Sequence, residues 1–274
     1  MIIDILIAFG IVAAVGLIAG VVLALASHFM HVEEDQTALE IRECLPGANC
    51  GACGYAGCDD YAKAVALDGV KSNLCIPGGD DTAAHIAEIL GIEAEDVIEK
   101  VAYVACNGNL SAAVKKAECD GIKTCSASCM LYGGPNICNF GCIGCGDCVS
   151  VCPSNAIYIR KGIAVVDSTV CTGCGLCAKT CPKNVIKIVP QTVKVLNLCH
   201  NEDKGAVARK SCQNACIGCK MCEKNCPENA IEVKNNFAVI DYDKCTGCGE
   251  CTKKCPTNCL NRVDLFEGTI YRIK

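Results

Sequence analysis

The longest apolar run in the chain, Ile5 to Ala26, holds no charged residue. As a helix it would reach roughly 33 Å, enough to cross a bilayer's hydrocarbon core, so it predicts a single N-terminal transmembrane helix. Ala24-Leu25-Ala26 resembles a signal-peptide cleavage site, but no Lys or Arg precedes the run and its length exceeds the usual signal h-region. A retained anchor is the better reading. Two later stretches, Thr82 to Leu90 and Ala94 to Val104, carry acidic residues at their polar positions with Gly91 between them, and read as helices. Farther on the pattern turns to alternation. Ala156 to Ile159 and Gly162 to Val166 flank a turn at Arg160-Lys161, and Ala230 to Val233 and Phe237 to Ile240 flank Asn235-Asn236; both pairs predict β-hairpins.

From Cys125 onward the sequence copies itself at one constant offset, the interval from Cys142 to Cys216, which predicts two tandem units of one fold. Cys142, Cys145, Cys148 and Cys152 recur as Cys216, Cys219, Cys222 and Cys226. Cys171, Cys174, Cys177 and Cys181 recur as Cys245, Cys248, Cys251 and Cys255, and even Cys125 and Cys138 return as Cys199 and Cys212. Each unit thus carries two runs of C-x2-C-x2-C-x3-C-P, the bacterial two-cluster ferredoxin motif, in which the fourth cysteine of each run serves the other cluster. The predicted ligand sets are Cys142, Cys145, Cys148 with Cys181; Cys171, Cys174, Cys177 with Cys152; Cys216, Cys219, Cys222 with Cys255; and Cys245, Cys248, Cys251 with Cys226.

A different spacing stands nearer the apolar run. Cys50, Cys53, Cys58 and Cys75 give C-x2-C-x4-C-x16-C, the pattern of a fifth 4Fe-4S site, with Gly51, Gly54 and Gly57 letting the backbone pass close to it. Cys44 falls outside that set and reads as a buried structural thiol.

Composition narrows the chemistry. The chain has 29 cysteines in 274 residues, an odd number mostly two or three residues apart, which argues against a disulfide framework. Structural zinc sites take two C-x2-C pairs across a longer loop, unlike four runs of four closed by Pro, so a zinc-stabilised scaffold is the weaker alternative. Aromatic residues are only 4%, with no Trp; an ordinary core would be thin, and inorganic clusters could fill the space. Net charge is −5, but residues 33–100 carry fifteen acidic against four basic side chains, and residues 101–274 fourteen against twenty-one. The basic residues are scattered among thiolates, which reads as solvated surface beside anionic clusters rather than a nucleic-acid footprint. Arg42 is the only Lys or Arg near the apolar run, so charge barely orients it. Free thiolates and clusters need a reducing compartment, which places everything after His31 on the cytoplasmic side. No G-x-G-x-x-G opening a helix and no P-loop is present, and no flavin site is suggested. No side chain is assigned acid, base or nucleophilic work; the cofactors change redox state.

The apolar run, then E-C-L-P-G-A-N-C-G-A-C-G-Y-A-G-C from Glu43 to Cys58 with Cys75, the acidic stretch and the ferredoxin units together resemble the B subunit of the Rnf complex, a membrane ferredoxin:NAD+ oxidoreductase that moves sodium ions or protons. The likeness covers essentially the whole chain, and two doubled units resemble the longer, clostridial type. It implies an electron-transfer subunit taking electrons from reduced soluble ferredoxin and relaying them to flavin-bearing membrane subunits, with no flavin or NAD on this chain. A membrane polyferredoxin serving another dehydrogenase, such as that for carbon monoxide, is the alternative. The expected class is α+β: an anchor (1–31), an Fe-S module (32–78), an acidic helical segment and linker (79–124), and ferredoxin units at 125–190 and 191–274.

Nine cysteines remain outside the five sites. Cys125, Cys138, Cys199 and Cys212, with Cys106 as a further donor, are the expected source of a sixth cluster, against the reading of inert buried thiols. Cys119, Cys129 and Cys259 read as structural. His28 and His31 suit the membrane interface, His85 lacks a partner in the sequence, and His200 follows Cys199 closely. Lys179, Lys183, Lys220 and Lys224 could attract an acidic ferredoxin or simply be solvated.

Overall fold

The computed structural model describes residues 2–29, 35–94, 96–118, 121 and 124–268. Cys119 and His31 lie outside the described residues, as does the side chain of His28. The apolar run lies within α1 (Ile2–Phe29), a helix of 28 residues. Within α1, side chains are described without a break only across residues 13–23, and those of Leu17, Ile18 and Leu23 are exposed. Among the described residues no helix is long and apolar enough to cross a membrane.

The small module that follows is built by α2 (Gln36–Cys44), α3 (Cys58–Asp68) and α4 (Gly79–Leu90). Asp35 caps α2, accepting the Thr37 amide at 2.8 Å, and Gly69 and Gly91 end α3 and α4 in the left-handed conformation. Ile41, Tyr61, Val65 and Ile86 form the module's core. The Tyr61 hydroxyl donates to the Lys71 carbonyl and accepts from the Leu74 amide, at 2.8 and 3.2 Å.

The first predicted helix of the acidic stretch is present as α4, but the second is not. In place of a helix over Ala94–Val104 the chain forms β1 (Lys100–Val104). Short apolar runs of this kind fit a buried strand as well as a helix, and here partners on two sides decide. Ala102 and Val104 enter the core of the first ferredoxin unit, while Val101 and Tyr103 enter a cluster shared with the second.

The first unit continues through α5 (Cys125–Met130), α6 (Asp147–Ser150), β2 (Ile157–Arg160), β3 (Ile163–Val166), α7 (Leu176–Thr180) and β4 (Ile186–Pro190). The second comprises β5 (Val195–Asn197), α8 (Gly205–Ser211), α9 (Met221–Lys224), β6 (Ile231–Lys234), β7 (Phe237–Ile240), α10 (Glu250–Lys254) and β8 (Leu260–Arg262). Both predicted hairpins form, as β2–β3 and β6–β7. The first turns at Lys161-Gly162, one residue later than expected, because Arg160 pairs with Ile163 and the two loop residues take positive φ. In each unit a second antiparallel pair joins the first strand to the last, β1 with β4 and β5 with β8. The first unit therefore draws its opening strand from residues 100–104, outside the span 125–190. Leu196, Leu198, Val263 and Leu265 of the second unit pack with Val101, Tyr103, Val165 and Val189 of the first, so the two share a buried apolar interface.

Candidate metal centres

Among the described residues no disulfide links the cysteines. Each run of the repeat has the same local build: its third cysteine rides on a single helical turn, Cys148 on α6, Cys177 on α7, Cys222 on α9 and Cys251 on α10. The residue before each turn is left-handed, three times Gly and once Lys220. Gly173 shows why bulk is excluded nearby, since a Cβ there would sit 2.2 Å from the Lys100 carbonyl oxygen of β1. After each fourth cysteine comes the same turn, C-P-x-N. Asn155, Asn184, Asn229 and Asn258 all take positive φ, and their amides donate back to the carbonyls of Cys152, Cys181, Cys226 and Cys255 at 3.1 to 3.3 Å.

These elements gather cysteines distant in sequence. Cys50, Cys53, Cys58 and Cys75 line one space in the module. The Asn49 carboxamide oxygen accepts the Cys58 amide at 2.8 Å. Cys216, Cys219, Cys222 and Cys255 line a second space, and Cys226, Cys245, Cys248 and Cys251 a third. In the first unit Cys171, Cys174, Cys148 and Cys152 all lie close enough to Cys177 to raise its thiol, after burial. In the second unit the cysteines thus line spaces in the interleaved sets that the motif predicts.

The remaining run differs. Cys142, Cys148 and Cys181 line a space whose fourth cysteine is Cys125, and Cys145 does not line it. Cys125 is held there by Asp147, whose carboxylate accepts the Cys125 amide at 2.7 Å and the Ser126 amide and hydroxyl at 3.0 Å. Cys125 does not line the separate space that Cys138, Cys199 and Cys212 share with Cys106 and Cys142. His200 lines it too, between Phe140 and Phe237, with ring centroids 6.1 and 5.6 Å away. Its buried Nδ1 has no hydrogen-bond partner among the described residues, and burial, ahead of the Lys187 charge, lowers its pKa.

Cys259, read from the sequence as a structural thiol, lies among the cysteines of the second unit. It is 1% exposed, and its sulfur lies 3.5 Å from that of Cys255. As the shared hydrogen-bond partner of Cys255 and Cys216, this thiol lowers the pKa of each. The repeat offers the signal, since its equivalent in the first unit is Val185. Cys44, at the end of α2, is half-buried and does not line the module's space. Of the four lysines considered for docking, three are engaged: Lys179 donates to the Cys50 carbonyl at 2.8 Å, Lys183 to the Asn139 carbonyl at 2.6 Å, and Lys220 pairs with Glu223 at 3.6 Å.

The donor sets suit iron-sulfur clusters. Backbone amides point at the sulfurs: Ala102 at Cys171, Ala156 at Cys152, Ala164 at Cys142 and Ala230 at Cys226, at 3.3 to 3.4 Å. Such bonds stabilise thiolate and tune cluster potential. Burial first, and neighbouring thiols after it, push Cys148, Cys222 and Cys251 up to about 11 and Cys177 to about 12. Gathering four thiolates is thus unfavourable until a cationic centre joins them. Among the described residues no three His, Cys, Asp or Glu side chains converge to hold a single metal ion; the cysteines ring spaces instead.

Comparison with known proteins agrees. A family model described as "Putative Fe-S cluster" matches residues 45–77, and one described as "4Fe-4S dicluster domain" matches 141–185 and 215–259. A second dicluster model matches 170–231. The chain is 44% identical, over 88% of its length and 72% of the relative's, to the B subunit of the Na(+)-translocating ferredoxin:NAD(+) oxidoreductase complex of Acetobacterium woodii. It is 43% identical, over 84% and 82%, to the B subunit of the proton-translocating ferredoxin:NAD(+) oxidoreductase complex of Clostridium ljungdahlii. A third relative, the B subunit of the ion-translocating oxidoreductase complex of Methanosarcina acetivorans, is 35% identical over 74% and 77%.

Proposed function

The chain belongs to the B-subunit family of ion-translocating ferredoxin:NAD(+) oxidoreductases, the Rnf complexes, and on that premise we propose that it is the wire through which electrons enter such a complex. It is an electron-transfer subunit built on 4Fe-4S domains. Reduced soluble ferredoxin is the proposed donor, other subunits of the complex the acceptors, and NAD+ reduction coupled to Na+ or H+ movement the outcome.

The observation that carries this reading is the contiguity of the cysteine sets. Lys179 of α7, the turn that carries Cys177, donates to the Cys50 carbonyl of the module, so the module's site abuts the first ferredoxin unit. Within each unit the two runs exchange their fourth cysteines. Electrons can then step from module to unit, each site supplying thiolates and amide donors while the clusters, when bound, supply the redox change. We assign the sites to Cys50, Cys53, Cys58, Cys75; Cys152, Cys171, Cys174, Cys177; Cys216, Cys219, Cys222, Cys255; Cys226, Cys245, Cys248, Cys251; and Cys142, Cys148, Cys181 with Cys125 in place of Cys145. Residues 5–26 serve as the membrane anchor, supported by their length and absence of charge, with the cluster domains on the cytoplasmic side.

Mixing the anaerobic full chain with reduced ferredoxin tests the relay: its visible iron-sulfur absorption should bleach, and an unchanged spectrum would reject the donor. Cys125→Ser should lose about one cluster by iron and sulfide analysis, while Cys145→Ser should lose none; the reverse result would return Cys145 to the site. Full-length protein should float with phospholipid vesicles, and sedimentation without them would remove the anchor.

A further inference from the structure

We propose that Cys106, Cys138, Cys199 and Cys212 hold a further 4Fe-4S cluster at the junction of the two ferredoxin units, joining their cluster pairs into one conductor. This rests on the iron-sulfur reading above and adds a centre to it.

The first support is a symmetry that the sequence offset conceals. Val104 pairs with Ile186, and Asn197 with Leu260. Ile186 and Leu260 are equivalents by the repeat offset, so Val104 and Asn197 hold the same place in the two units. Two residues on from each comes a cysteine, Cys106 and Cys199, and it is Cys106, not Cys125, that corresponds to Cys199 in the fold. The two face each other in an antiparallel bridge. Equivalent residues opposed in this way mark a two-fold relation between the units. Cys138 and Cys212 are equivalents by the plain offset, so the four thiols are two symmetry-related pairs around one space.

The second support is the chemistry around the sulfurs. The Cys142 amide donates to Cys106 Sγ at 3.3 Å and, at the equivalent place, the Cys216 amide donates to Cys199 Sγ at 3.2 Å. Gly108 N–H also reaches Cys106 Sγ, and Asn201 Nδ2 reaches Cys138 Sγ, both at 3.4 Å. Donors of this kind favour thiolate, which inert thiols do not require. Gly108 and Gly141 border the space, where a Cβ at either would make ordinary contact, at 3.4 to 3.6 Å, with two of these sulfurs.

Position supplies the function. Cys142 and Cys216, whose amides bind the inner sulfurs, are themselves cysteines of the flanking sites, one in each unit. A cluster between them lies on the line from the first unit to the second.

The test is a cluster count on the anaerobically purified full chain by native mass spectrometry, with iron and acid-labile sulfide analysis. Six clusters, about 24 irons, are expected. Cys138→Ser/Cys212→Ser should lose about four irons and one electron paramagnetic resonance component while the rest remain. A parent with five clusters, or a double variant holding as much iron as the parent, overturns the bridging cluster and leaves the relay standing. A parent without iron overturns the relay itself. Should the double variant not fold, Cys106→Ser read by the same count decides.

Discussion

Cys259 shows how one side chain can make two copies of a motif unequal. In the first unit Val185 lines the corresponding space; in the second, a buried thiol sits 3.5 Å from the sulfur of Cys255. An S–H donor to a ligand sulfur stabilises the more negative, reduced state of a cluster and so raises its potential. Cys259→Val should leave iron content unchanged and lower the potential of that one cluster in a redox-poised resonance titration. An unaltered potential would mean the thiol only fills space. Cys125 teaches the opposite lesson. The repeat pairs it with Cys199, yet the interval from Cys106 to Cys138 is more than twice that from Cys199 to Cys212. Cys125 stands on the extra length of the first unit, and Asp147 docks it at another site.

Among the elements, the C-P-x-N turns are the most regular. Each holds an asparagine in the left-handed region, where a residue with an ordinary Cβ costs about 1–2 kcal/mol, and each aims the preceding cysteine across to the neighbouring run. Asn184→Ala should therefore lower stability by about 1 kcal/mol and loosen the site of Cys181, read as faster iron loss to a chelator; Asn184→Gly should restore it. The strand β1 is the element that sequence reasoning misassigned. Its alternate residues enter two different cores, and its Ala102 amide reaches Cys171 Sγ at 3.4 Å. Val101→Asp places a charge in the buried interface between units, and a loss of several kcal/mol is expected, measurable as a lowered thermal midpoint with both units affected. Had the segment been an exposed helix, the same change would have been nearly neutral.

At the scale of the whole molecule, the apolar cores are small and interleaved with cysteines, so the clusters are structural as well as redox elements. Oxidative removal of iron in the presence of a chelator should abolish the cooperative melting transition of the ferredoxin units; retention of that transition in metal-free protein would show the polypeptide core to be sufficient. The cysteine spacing, the internal repeat and both hairpins were legible without coordinates, because ligand intervals, period-2 alternation and turn chemistry are local properties of the chain. So was the family resemblance, which the relatives bear out. The partner of β1, the site that Cys125 joins and the equivalence of Cys106 with Cys199 were not. Each depends on two segments far apart in the chain meeting across an interface, and no local spacing records which distant surface a side chain will find.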